Sequence, residues 1–144
     1  MEVSNIELLP LEGCSLFRFG ASEKDVLTVV GEADEVETFE EDGITSAIWY
    51  YDEIGLSLFF DKLDAGEMIL SGMEMDGTNL TLAGKNLFGK TIEEIKAVAI
   101  ELQMGEEDME NEEWGETRLS YEDKMLDFYF DENGKMVSIS WGME

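Results

Sequence analysis

The chain has 144 residues, 44% of them apolar and 10% aromatic, enough to bury a core without disulfides or metals. It carries 35 Asp and Glu against 9 Lys and Arg, with no histidine and a net charge of −26. That balance disfavours direct nucleic-acid binding, which needs clustered cations, and removes Ser-His-Asp and Cys-His catalysis and histidine zinc sites.

At the start, Met1-Glu2-Val3-Ser4-Asn5 has neither a positive n-region nor an apolar h-region, so no signal peptide is expected. Ile6–Leu9 reads as a short strand ended by Pro10, the single proline. Cys14 stands alone, which excludes an intramolecular disulfide and points to a reducing, cytoplasmic compartment. A helix is predicted over 22–30. Ser22 can cap it, Asp25 can reach back to complete a capping box, and Gly31 can stop it. Strands follow at Ile44–Tyr51, Leu56–Phe60 and Met68–Met75, with a turn at Asp52–Gly55.

The pattern then recurs. Phe88-Gly89-Lys90-Thr91-Ile92-Glu93-Glu94-Ile95 echoes Phe19-Gly20-Ala21-Ser22-Glu23-Lys24-Asp25-Val26. Tyr121, Leu126, Phe128, Phe130 and Asp131 echo Tyr51, Leu56, Leu58, Phe60 and Asp61 at nearly the same offset. This predicts a second capped helix over 91–103, stopped at Gly105, and strands at Thr117–Tyr121, Met125–Phe130 and Met136–Trp141. Asp131-Glu132-Asn133-Gly134 reads as a tight turn and lacks the ligand spacing of a calcium loop. The expected fold class is therefore α+β. It is a single domain made of two repeats, 1–76 and 77–144, each a helix followed by three or four antiparallel strands, with helices packed on one face of the sheet.

Those pieces resemble the fold of beta-lactamase inhibitory protein and of small outer-membrane lipoproteins of the SmpA/OmlA type. The resemblance rests on Gly20–Val26, Trp49-Tyr50-Tyr51 and Leu56–Phe60, and again on Gly89–Ile95, Leu119-Ser120-Tyr121 and Leu126–Phe130. It implies a scaffold whose curved sheet presents a protein-binding surface.

The acids are not spread evenly. Glu32, Asp34, Glu35, Glu37, Glu40, Glu41 and Asp42 crowd one segment, and Glu106, Glu107, Asp108, Glu110, Glu112, Glu113 and Glu116 another. No Lys or Arg falls between Lys24 and Lys62 or between Lys96 and Arg118. Such segments repel themselves and attract a cationic partner, with nearby aromatics as anchors. The candidate partner-binding residues are Glu37, Glu40, Glu41, Asp42, Trp49, Tyr50, Glu107, Asp108, Glu110, Glu112, Glu113 and Trp114. The expected function is a non-enzymatic, protein-binding inhibitor. The specific version is an immunity protein that blocks the active-site cleft of a basic, nuclease-like toxin, with no cofactor, metal or membrane. A nucleic-acid mimic and a structural or envelope-assembly module remain the alternatives.

Overall fold

The computed structural model of the protein describes residues 6–62, 66–76, 80–111 and 115–143. In chain order the strands and helices are β1 (Ile6–Leu9), β2 (Gly13–Cys14), α1 (Glu23–Val30), β3 (Glu35–Glu41), β4 (Ile44–Tyr51), β5 (Leu56–Lys62), β6 (Met68–Met75), β7 (Leu80–Leu82) and β8 (Lys85–Asn86). There follow α2 (Ile92–Glu101), β9 (Asp108–Asn111), β10 (Thr117–Tyr121), a 3-10 turn (Glu122–Lys124), β11 (Leu126–Phe130) and β12 (Met136–Gly142).

Both helices start on complete capping boxes. The Ser22 hydroxyl accepts from Asp25 N–H while the Asp25 carboxylate accepts from Ser22 N–H, and Thr91 and Glu94 do the same. Gly31 ends α1 at a φ of 75°. α2 ends earlier than Gly105: Leu102 is its C-cap, and the chain turns away at Gln103, which itself takes the left-handed conformation at a φ of 53°. The helices are short, and helices of this length are unstable alone. Val26 and Val30 of α1, and Ile95, Val98 and Ala99 of α2, hold them to the core.

Eight strands form one antiparallel sheet in the order β3-β4-β5-β6-β12-β11-β10-β9. Its inner face is built by strand alternation. Ala47, Trp49, Tyr51, Leu56, Leu58, Phe60, Leu70, Met73, Met75, Leu119, Tyr121, Leu126, Phe128, Phe130, Ile139 and Trp141 are all buried in one cluster. A second, four-stranded sheet runs β2-β1-β7-β8, with β1 and β7 parallel. Trp141 joins the two sheets, its buried indole N–H donating to the Gly13 carbonyl at 2.8 Å. Gly13 must be glycine: its φ is 125°, and a Cβ there would stand 2.6 Å from the Phe17 carbonyl oxygen.

The expected fold class is corrected. Strand accounts for 51% of the described residues and helix for 16%, so the protein is mostly β and not a tandem repeat of helix and strands. Two physical causes account for the difference. The acidic stretches at 35–41 and 108–111, to which no element was assigned, pair as strands. Two pairings, β6 with β12 and β1 with β7, also join strands distant in the chain into one large and one small sheet. The boundary at 76/77 abuts residues 77–79, which lie outside the described residues.

Candidate functional site

The acidic segments become the two ends of the large sheet. β3 forms because a two-residue hairpin turns it back on β4. Asp42 and Gly43 both have positive φ, 51° and 80°, as a type I′ turn requires. The register then runs without a break from Glu41 opposite Ile44 to Glu35 opposite Tyr50. Every residue of β3 is exposed.

Residues opposite one another across a pair share a face. Val36, Thr38 and Glu40 therefore lie on the helix side with Trp49, Ala47 and Thr45. Glu35, Glu37, Phe39 and Glu41 lie on the open side with Tyr50, Ile48, Ser46 and Ile44. The Tyr50 hydroxyl donates to Glu37 at 3.2 Å. Desolvation raises the Tyr50 pKa, and the Glu37 carboxylate raises it further. On the helix side, Leu27, Ala33, Val36 and Trp49 line a shallow apolar hollow beside Glu32. Leu27 is 41% exposed, Val36 51%, Phe39 45% and Ile44 49%, so this end of the sheet combines acids with accessible apolar side chains.

β9, at the other end, is shorter and carries its own counter-charges. Glu110 lies opposite Arg118 of β10 and forms an ion pair with it. Glu107 pairs with Lys96 of α2 at 3.4 Å.

Between these ends, a polar row crosses the open face. Glu35, Tyr50, Ser57, Glu74, Ser140, Asp127, Ser120 and Asp108 are successive cross-strand partners, one from each of the eight strands. Carboxylates and hydroxyls fill it, with no cation. At a strand spacing of about 4.8 Å, the row is about 34 Å long. Ser120 donates to Asp127 within it. Glu74 sits on the inner strand β6, where burial pushes its pKa up and Asp76 adds to the effect. Among the described residues the Glu74 side chain has no hydrogen bond or ion pair, while its backbone belongs to the ladder. Beside the row lie the half-buried Ile48, Phe59 and Tyr129, and Asp61, which accepts from Ser46 and Ser71 at 2.6 Å each.

The structure thus separates residues that the sequence analysis grouped. Glu37, Glu40, Glu41, Asp42 and Tyr50 gather at the β3 end, and Glu107, Asp108 and Glu110 at the β9 end, about seven strand spacings away. Trp49 is buried at 7% exposure and packs on Phe60 with ring centroids 4.6 Å apart, so it lines the apolar hollow instead of projecting as an anchor. Glu112, Glu113 and Trp114 lie outside the described residues. Sequence reasoning missed Glu74 and Asp127, which fall outside the acidic runs. Strand alternation was the signal for them: Asp127 sits between the buried Leu126 and Phe128, and Glu74 between Met73 and Met75.

Cys14 is fully buried, and burial raises its thiol pKa, so it has little thiolate character. Among the described residues no group of three or more Cys, Asp or Glu side chains could hold a metal ion. No described helix is long and apolar enough to cross a membrane.

No protein-family model and no curated protein sequence matches the chain. Among solved structures, it is similar to an extracellular protein containing a SCP domain from Bacillus anthracis str. Ames, with a TM-score of 0.51 and 13% identity. The similarity covers 87% of this chain and 44% of that protein, so the chain spans less than half of its length. At that identity the likeness concerns the fold alone.

Proposed function

We propose that this chain is an acidic protein-binding inhibitor, an immunity-type protein that acts in the cytoplasm by covering the cationic active-site cleft of a basic, nuclease-like toxin. The observation that carries the reading is the cation-free row of carboxylates and hydroxyls across the open sheet face. A strand face with a polar row and half-buried aromatics beside it suits a protein surface. Its length of about 34 Å also fits an interface of standard size, about 800 Å² per partner. The net negative field steers a cationic surface toward the sheet, raising association rates to about 10⁸–10⁹ M⁻¹s⁻¹ at low salt.

The test is affinity capture from host lysate at low salt with stepwise salt elution, followed by an activity assay of whatever is retained. The expected result is one basic protein held in near-stoichiometric amount, whose nuclease activity the purified chain abolishes. Glu74→Gln with Asp127→Asn weakens that capture. A smear of basic proteins released together by modest salt, with no activity inhibited, would refute the reading.

A further inference from the structure

We propose that β3 is a docking edge, where an extended cationic segment of the partner adds as a further strand of the large sheet. This deepens the protein-binding reading above and rests on it for the partner's charge. Three observations meet at this strand.

First, among the described residues β3 is hydrogen-bonded as a strand on one side only, to β4. Its outward N–H and C=O groups form a row seven residues long, with no bulge and no proline. An edge of that kind is a template for another strand.

Second, its charge selects the occupant. Two copies of this edge would repel: in an antiparallel pairing centred on Thr38, Glu35 of each copy would face Glu41 of the other. Like charges directly opposite are unfavourable, whereas a Lys or Arg in the same place gains an ion pair.

Third, the alternation sets the occupant's pattern. On the open side the order is Glu35, Glu37, Phe39, Glu41, which calls for cationic side chains at alternate positions with one apolar residue opposite Phe39. On the helix side, Val36 and the exposed Leu27 shelf call for an apolar residue. β9 offers no equivalent, being four residues long with Glu110 already held by Arg118.

The probe is the synthetic heptapeptide Lys-Thr-Phe-Thr-Lys-Val-Lys, capped at both ends and designed to run antiparallel to Glu35–Glu41. Two isomers of equal charge are compared with it, one N-methylated at the second and fourth residues and the other at the third and fifth. In a strand, one of these sets points its N–H groups at β3 and the other away. The full chain should bind the parent peptide and one isomer alike and the other at least about tenfold more weakly, the loss expected when backbone hydrogen bonds are removed. Bound peptide should slow amide exchange along Glu35–Glu41 and leave Asp108–Asn111 unchanged. Equal binding of both isomers would mean charge alone is read, and would overturn the docking edge. So would protection elsewhere, or a dimer of the free chain built through β3 and seen by sedimentation at raised salt. The two proposals fail separately. A basic partner captured and inhibited with no difference between isomers removes the docking edge alone. Isomer-selective binding with no inhibited partner removes the inhibitor function alone.

Discussion

β3 and β9 close the two ends of one sheet, and both are exposed and rich in acids, yet their charges are handled in different ways. At β9, Arg118 reaches Glu110 across the strand pair and Lys96 comes down from α2 to Glu107. At β3, no ion pair involves residues 32–42 among the described residues, and Glu37 has only the Tyr50 hydroxyl. One edge is partly neutralised within the fold. The other leaves its field to solvent or to a partner, next to Val36, Phe39 and Ile44. Acid count is therefore a poor guide to a binding surface. What separates the two edges is whether the fold supplies counter-charges.

Neutralising each edge in turn separates their roles most directly. Changing Glu35, Glu37, Glu40 and Glu41 to Gln should slow association with the captured basic partner by about 10–100-fold at low salt, and should flatten the salt dependence. Amide replacements of Glu107, Asp108 and Glu110 should slow it by less than about threefold. Stopped-flow rates across a salt series measure both. Equal losses at the two edges would erase the distinction.

A second prediction concerns the tyrosines that end β4 and β10, Tyr51 and Tyr121. Burial pushes both phenols up to about 12, with Asp34 adding to the effect on Tyr51 and Glu107 on Tyr121. A phenol whose pKa is raised by folding favours the folded state while it is neutral. That contribution is fully present below the ordinary value of 10.0 and is lost as pH rises from there toward 12. Thermal melts should show the loss in the native chain and a shallower one in the double variant Tyr51→Phe/Tyr121→Phe. Tyr51→Phe alone should also cost about 1–2 kcal/mol at pH 7, because its hydroxyl donates to the Gly31 carbonyl at 2.9 Å and ties β4 to the end of α1.

Much of the frame was legible in the residues. The capping boxes at Ser22 and Thr91 formed as spaced, and Ile6–Leu9, Ile44–Tyr51, Met68–Met75 and Thr117–Tyr121 are strands with the expected bounds. Local chemistry sets such features, so local reading finds them. β3 was not found, although its signal was present. Asp42-Gly43 is a strong hairpin dipeptide and Ile44–Tyr51 follows it, but four glutamates within seven residues mask the β-branched and aromatic Val36, Thr38 and Phe39. The fold class failed for a different reason. Recurring motifs report local structure, whereas the pairing of β6 with β12 and of β1 with β7 is decided by partners distant in the chain. The polar row across the open face depends on that register, so no linear reading could assemble Glu35, Glu74, Asp127 and Asp108.

A smaller effect sharpens the contrast between the edges, because single substitutions should change stability in opposite directions. Glu110→Gln removes the partner of Arg118, whose Nε is buried with no hydrogen bond, and should destabilise by about 0.2–1 kcal/mol. Glu37→Gln relieves repulsion within β3 and should stabilise by a few tenths of a kcal/mol, net of the lost Tyr50 contact. Urea denaturation at low salt resolves the signs, and raising the salt should shrink both.

The smallest effect lies midway between the edges, at Glu74. Burial raises this carboxyl, so its charged form is disfavoured in the folded chain. A raised carboxylate pKa costs stability at neutral pH, and the cost fades as pH falls through the folded value toward the ordinary 4.5. Glu74→Gln should therefore raise the melting temperature slightly at pH 7 and leave it unchanged well below pH 4.5. Binding reverses the sign. A cation placed over the row by the partner would stabilise the charged carboxylate, so the substitution that helps the free chain should weaken the complex. If Glu74→Gln stabilised the free chain and left partner affinity unchanged, the polar row would be excluded from the interface and β3 would have to carry the recognition alone.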